Sequence, residues 1–206
     1  MVLFITFEGV EGSGKSYQAG VLYRRLSQLA IPAMLIHEPG GTSLGKKLAR
    51  WLKWTQDTRI SPLTELLMFS ASRAQLVAEV IQPALEGGKV VICDRYADST
   101  TAYQGCGRGL NLELVKAINN IAAQGVNPSL TVLLDISAED GLARKVDERH
   151  DRFEQEDIAF LQRVREGYLE LVANEPERWL VVDASQSKAE IKEIIWQRVR
   201  QLVASR

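Results

Sequence analysis

Cysteine and histidine are scarce in this chain, and so is any excess of charge. The two cysteines, Cys93 and Cys106, form no C-x-x-C pair. That excludes a disulfide framework and fits a reducing, cytoplasmic setting, with Cys93 read as a small apolar residue of a strand. Two histidines, His37 and His150, are too few for a histidine-based metal site. A formal net charge of −1 argues against a general nucleic-acid binder, whose footprint is a basic excess, although it leaves room for a local basic site. No apolar run approaches the roughly 20 residues of a membrane span. The first apolar run is short and lacks a basic flank, so neither membrane insertion nor a signal peptide is expected. Internal repeats, low-complexity stretches and long linkers are also missing. What remains is 206 residues, 46% hydrophobic and 25% charged, which suits one α/β domain with a sizeable core.

The strongest signal present is Gly9-Val10-Glu11-Gly12-Ser13-Gly14-Lys15-Ser16, a G-x-x-x-x-G-K-S loop. It follows the apolar run Leu3–Phe7 and precedes a segment, Lys15–Leu29, with apolar residues at helical spacing. Strand, glycine loop and helix together make a phosphate cradle: backbone N–H groups converge on phosphate oxygens and the helix N-terminus favours the anion. Lys15 then reaches the β/γ-phosphates, and the Ser16 hydroxyl sits on Mg²⁺. Further strand-like runs occur at Ala33–His37, Val90–Asp94, Leu130–Asp135 and Trp179–Asp183. Helical patterns cover Ser43–Leu52, Ser61–Glu86, Asn111–Ala123, Ala138–Arg149, Asp157–Asn174 and Lys188–Ala204. The alternation predicts a five-stranded parallel sheet flanked by helices, a three-layer P-loop fold with its ligands at the carboxyl ends of the strands. Pro83 is expected to kink or end the third helix near Gln82, and Gly105–Gly109 to mark turns.

Val90–Asp94 ends in a carboxylate, as the strand that holds Mg²⁺ does in P-loop enzymes, often through water. Arg95 follows at once, with a guanidinium suited to bidentate phosphate binding or, more plainly, to a surface pair with Asp94. Arg144, Lys145, Arg149, His150 and Arg152 sit among acids. They read equally as a solvated helix end or as a mobile lid (residues 144–157) whose arginines close over a transferring phosphoryl group. Phe69 and Arg73 share a helix face. Periodicity alone puts Phe69 in the core beside Leu66, Leu67 and Met68.

Five blocks in order resemble the bacterial-type thymidylate kinase family: Phe7–Ser16, Glu38-Pro39-Gly40-Gly41-Thr42, Leu66–Gln75, Asp94–Gly105 and Asp151-Arg152-Phe153-Glu154-Gln155-Glu156. Gly107-Arg108-Gly109-Leu110 extends the fourth. The resemblance implies transfer of a phosphoryl group from ATP to dTMP with Mg²⁺. It implies that Phe69 stacks on thymine and that Arg73 meets its O4 edge, which reverses the core reading of Phe69. Ser99 and Thr100 face the base, Tyr103 packs near C2′ with Gln104 close by, and Arg95 grips the dTMP phosphate. Glu38 and Pro39 border the acceptor, and Glu11 helps hold the 3′-hydroxyl side. The family places a catalytic arginine either in the phosphate loop or in the lid. This loop has none, so the lid type is implied, with Arg149 the first choice at the phosphoryl group and Arg144 and Arg152 beside the nucleotide. His37 stands where the family commonly has arginine, and Tyr17 replaces a commoner small residue. A homodimer is the family's usual assembly. The alternatives are another pyrimidine specificity, or a regulatory switch that would leave the lid and acceptor blocks unexplained. A GTPase switch also wants an N-K-x-D motif, which this sequence lacks.

Overall fold

The computed structural model describes residues 3–55, 59–144, 152–153 and 155–204. The five apolar runs form the five strands: β1 (Phe4–Glu8), β2 (Ala33–His37), β3 (Val90–Asp94), β4 (Leu130–Asp135) and β5 (Trp179–Asp183). All pair in parallel, in the order β2-β3-β1-β4-β5. β1, β3 and β4 are buried on both faces, as a parallel sheet covered by helices requires. Leu3, Ile5 and Phe7 join one core layer, while Phe4 joins the other with Val91, Cys93 and Tyr96.

Helices α1 (Lys15–Gln28), α2 (Ser43–Trp54), α3 (Pro62–Leu76), α6 (Leu112–Ala123), α8 (Ile158–Asn174) and α9 (Lys188–Ala204) follow the predicted segments. Polar residues start several of them. Thr42, Ser61, Asn111 and Asp157 each accept an N–H from the first turn, and Pro62 follows Ser61 where its missing N–H costs nothing. α7 (Ala138–Ala143) is the described part of the fifth predicted helix; Arg149, at that helix's predicted end, lies outside the described residues.

Two expectations need correction. Pro83 does not end the third helix. The chain widens into a π turn over Val77–Ile81, where the Gln82 N–H reaches back to the Val77 carbonyl, and continues as α4 (Gln82–Glu86). The wide turn absorbs the misfit that proline causes inside a helix. Gly105 and Gly107 are not in a turn either. They belong to a helix the sequence did not announce, α5 (Ala97–Thr100) running on as a π segment over Thr101–Gly107. A Cβ on Gly107 would lie 2.7 Å from the Phe160 ring, so the missing side chain is what lets α8 pack here. Only Gly109, at φ 73°, turns the chain. Among the described residues no helix is long and apolar enough to cross a membrane.

Candidate active site

β1 lies between β3 and β4, so the phosphate loop and the Asp94-Arg95 corner emerge side by side at the carboxyl edge. α1 begins at Lys15 behind Gly14 (φ 91°), with no side-chain cap and no acid in its first turn. Its first N–H groups and positive dipole end therefore face the loop unopposed, ready for an anion. Lys15 folds over the loop, donating to the Val10 carbonyl at 2.7 Å and to the Ser13 hydroxyl at 3.2 Å. Burial, reinforced by Arg95, lowers its pKa to about 7. The Ser16 hydroxyl donates to Asp94.

The loop is braced against α7 by backbone. A Cβ on Gly12 would fall 2.0 Å from the Gly141 carbonyl oxygen, and one on Gly141 would fall 2.4 Å from that of Glu11. The chamber above the loop has a volume of about 1010 Å³. Besides Gly12–Ser16 it is lined by Asp94, Arg95, Arg144 and the stretch after β5 at Gln186, Ser187 and Lys188. Arg144 donates to the Ala184 carbonyl at 3.0 Å.

A second chamber of about 60 Å³ opens beside the first, and the two share Glu11, Glu38, Pro39, Lys53 and Arg95. Phe69, Tyr96, Ser99, Thr100, Tyr103, Gln104 and Phe153 complete it. Arg95 stands on the shared wall with its backbone at φ 70°, a left-handed conformation uncommon for a side chain of this size. Its Nη2 donates to Glu11 at 2.8 Å and to the Tyr103 hydroxyl at 3.1 Å; Nη1 donates to the Gly9 carbonyl, Ser99 and Tyr168. Tyr103 in turn donates to Glu11 at 2.6 Å. Burial works against the Arg95 charge, but Tyr103, Glu11, Tyr168 and Glu8 outweigh it and push its pKa well above the usual value.

Arg73 lies behind the second chamber, fully buried, and lines neither chamber. It grips Glu38 at 2.6 Å, Asn119 at 2.6 Å and Thr100 at 2.5 Å, so it fixes three elements around the cavity. Burial raises the pKa of Glu38 against the pull of Arg73, while Glu38 more than restores the charge of Arg73. Phe69 stands 5.6 Å, centroid to centroid, from Phe153 at the far end of the predicted lid segment. Arg152 is not brought to the phosphate loop. It donates to Glu65 at 2.5 Å and to the Leu52 carbonyl at 3.1 Å.

A family model described as thymidylate kinase matches residues 7–195. The thymidylate kinase of Dehalococcoides mccartyi (strain CBDB1) is 53% identical over 206 residues, covering all of this chain and 99% of its own. That of Roseiflexus castenholzii is 48% identical, covering all of this chain and 96% of its own. This chain belongs to the thymidylate kinase family. A crystal structure of thymidylate kinase from Ehrlichia chaffeensis superposes with a TM-score of 0.78 at 32% identity, over 96% of this chain and 98% of that one. The α/β P-loop architecture read from the sequence is therefore shown both by the strand order and by a solved relative.

Within the family frame, the sequence reading had placed most of the residues that meet at the two chambers. It missed Lys53, which lines both, and Gln186–Lys188 along the larger one. It also missed Tyr168, whose hydroxyl reaches Arg95 and Glu8. One signal was available: Tyr168 lies on the buried stripe of α8 with Leu161 and Val164, and a buried tyrosine hydroxyl needs a partner.

Proposed function

We propose that the larger chamber binds ATP and the smaller one dTMP, and that the chain transfers the γ-phosphoryl group to the dTMP phosphate, giving dTDP and ADP. The placement of Arg95 supports this division most directly. It stands with Lys53 on the wall the two chambers share, and its guanidinium is held by five hydrogen-bond acceptors. There its guanidinium can hold the acceptor phosphate bidentately, in line with a γ-phosphate seated over the loop.

The acceptor phosphate is already an anion at neutral pH, so no general base is needed. The task is to position two anions and offset their charge. Lys15 leaves its carbonyl partner for the β/γ-phosphates, whose charge restores its proton. Arg144 lies at the donor chamber and is placed to serve ATP, while Arg149 remains our choice for the transferring group. Ser16 and Asp94 form a hydroxyl–carboxylate pair at the loop. Among the described residues no group of three or more His, Cys, Asp or Glu side chains surrounds a metal position. That donor set fits Mg²⁺, which favours one or two protein oxygens plus phosphates and water. When bound between Ser16 and Asp94, Mg²⁺ would neutralise phosphate charge.

On the acceptor side, Phe69 supplies the stacking face for thymine. Ser99, Thr100 and Gln104 supply polar edges, with Arg73 behind them, and Tyr103 stands against a 2′-hydroxyl. Glu38 and Pro39 frame the entrance, and Glu11 lies within reach of the sugar. A cytoplasmic homodimer is also part of this reading. Leu63 and Leu67 on α3 and Leu114 and Ile121 on α6 are exposed apolar side chains on helices that pack together, a surface suited to a second copy. A turnover assay with ATP across dTMP, dUMP, dCMP, dGMP and UMP tests the assignment. Strong preference for dTMP is expected, and comparable rates on purines overturn it.

A further inference from the structure

Glu8, the last residue of β1, is completely buried, and nothing in the chemistry above uses it. A carboxylate in such a place is costly unless its oxygens are satisfied. Here they are: Oε1 accepts the Tyr96 backbone N–H at 2.8 Å, and Oε2 accepts the Ser99 hydroxyl at 2.5 Å and the Tyr168 hydroxyl at 2.9 Å. Those same two hydroxyls accept from Arg95 Nη1, at 3.2 and 3.3 Å. Glu8 thus touches Arg95 nowhere, yet acts on it at both ends. The Tyr96 bond fixes the peptide that follows the left-handed backbone of Arg95, and the hydroxyl bonds fix what its guanidinium meets.

Each hydroxyl has one proton and can give it to only one partner. While Glu8 takes both protons, Ser99 and Tyr168 can show Arg95 only lone pairs. A proton on the Glu8 oxygen that faces them breaks this order: the acid O–H donates to one hydroxyl, whose own proton then turns to the other hydroxyl, 2.9 Å away, or toward the guanidinium. We propose that Glu8 is a positioning residue for phosphoryl transfer, whose carboxylate orients Ser99 and Tyr168 so that Arg95 is aimed at the acceptor phosphate. This rests on the reading of Arg95 as the group that holds that phosphate.

The surroundings poise the carboxylate. Burial, and next Asp98, push its pKa up to about 7, against the pull of Ser99, Arg95 and Tyr168. Asp98 is itself tied to Arg178 at 2.7 Å. Lys15 from α1, Arg73 from α3 and Cys93 from β3 also feel the Glu8 charge.

The test is Glu8→Gln, which keeps the shape and replaces an acceptor with a donor. KM for dTMP is expected to rise about tenfold, the scale of one charge-assisted hydrogen bond, with KM for ATP unchanged. The ratio of wild-type to variant kcat/KM for dTMP is expected to shrink toward one as pH falls from about 8 to about 5.5, where the wild type itself takes up the proton. The second ionisation of dTMP is common to both proteins and cancels in that ratio. A variant that raises both KM values equally, or a ratio flat with pH, would reduce Glu8 to a packing residue and overturn the proposal. Should Glu8→Gln not fold, Ser99→Ala and Tyr168→Phe carry the same expectation, and an unchanged KM for dTMP in both defeats it. Arg95→Lys separates the two layers. If it leaves KM for dTMP alone, the phosphate reading of Arg95 and this proposal fall together. If it raises that KM while Glu8→Gln does not, only the role of Glu8 falls.

Discussion

The two chambers, proposed above as the donor and acceptor sites, share a wall but are built from different materials. The donor chamber, about 1010 Å³, rests on backbone: the glycine loop, the open N-terminus of α1 and a single lysine folded onto its own loop. The acceptor chamber, about 60 Å³, is held by side chains drawn from β1, the loop after β2, α3, the α5 helix, α6 and α8. A phosphate chain has the same shape in every nucleotide, so one short peptide can cradle it. A particular base and sugar require a fixed, dry set of polar groups, and those must come from many elements at once.

If side chains hold the acceptor side together, breaking one buried pair there must cost the fold itself. Arg73→Met leaves Glu38 buried without its cation and should lower unfolding stability by about 3–5 kcal/mol, read by denaturant titration. A loss of under about 1 kcal/mol would show that the network is dispensable. The donor side should respond in the opposite sense. Lys15→Ala is expected to cut kcat by about 10²–10³-fold in a coupled ADP-release assay, while the unfolding midpoint stays near that of the wild type. An equal loss of stability would erase the contrast. Phe69→Ala sharpens it within the acceptor side, raising KM for dTMP by about 10–100-fold through lost base stacking, with KM for ATP unaffected.

The smallest effect is in pH. Glu8 has a raised pKa in the folded state, so its contribution to stability falls as pH rises from 4.5 to about 7. Lys15 has a lowered one, so its contribution rises again from about 7 to 10.5. Without nucleotide, both burial costs are felt in full near neutrality, and the melting temperature should show a shallow dip there of about a few degrees. Glu8→Gln should remove its acid side, and ATP should fill its alkaline side. A profile that is flat in the wild type contradicts both shifts.

The same contrast explains what could be read from sequence. The phosphate loop, the five strands and the Asp94-Arg95 corner are local patterns, and they stand where periodicity put them. The helix over Ala97–Gly107 escaped notice because Gly105 and Gly107 look like turn residues. Their purpose is visible only once Leu112 and Phe160 are seen pressed against them. Periodicity could not place Phe69, because a binding face and a core face have the same spacing; in the structure it packs against the core cluster and also lines the smaller chamber. The resemblance put Arg73 at the base edge, whereas its complete enclosure by Glu38, Thr100 and Asn119 depends on partners up to 46 residues away. Tyr168 meets Glu8 across 160 residues, a distance at which no single-sequence pattern can speak.

A methyl group on Gly12 would strike the Gly141 backbone, and one on Gly141 would strike the Glu11 carbonyl beside Gly12, so neither position has room for a side chain. Relief cannot come from enlarging one and trimming its neighbour, since the neighbour has nothing left to trim. In a lineage of such chains the two positions are locked: neither can drift first. The α7 turn and the phosphate loop must therefore be inherited as one joint, whatever happens to the sequence beyond it.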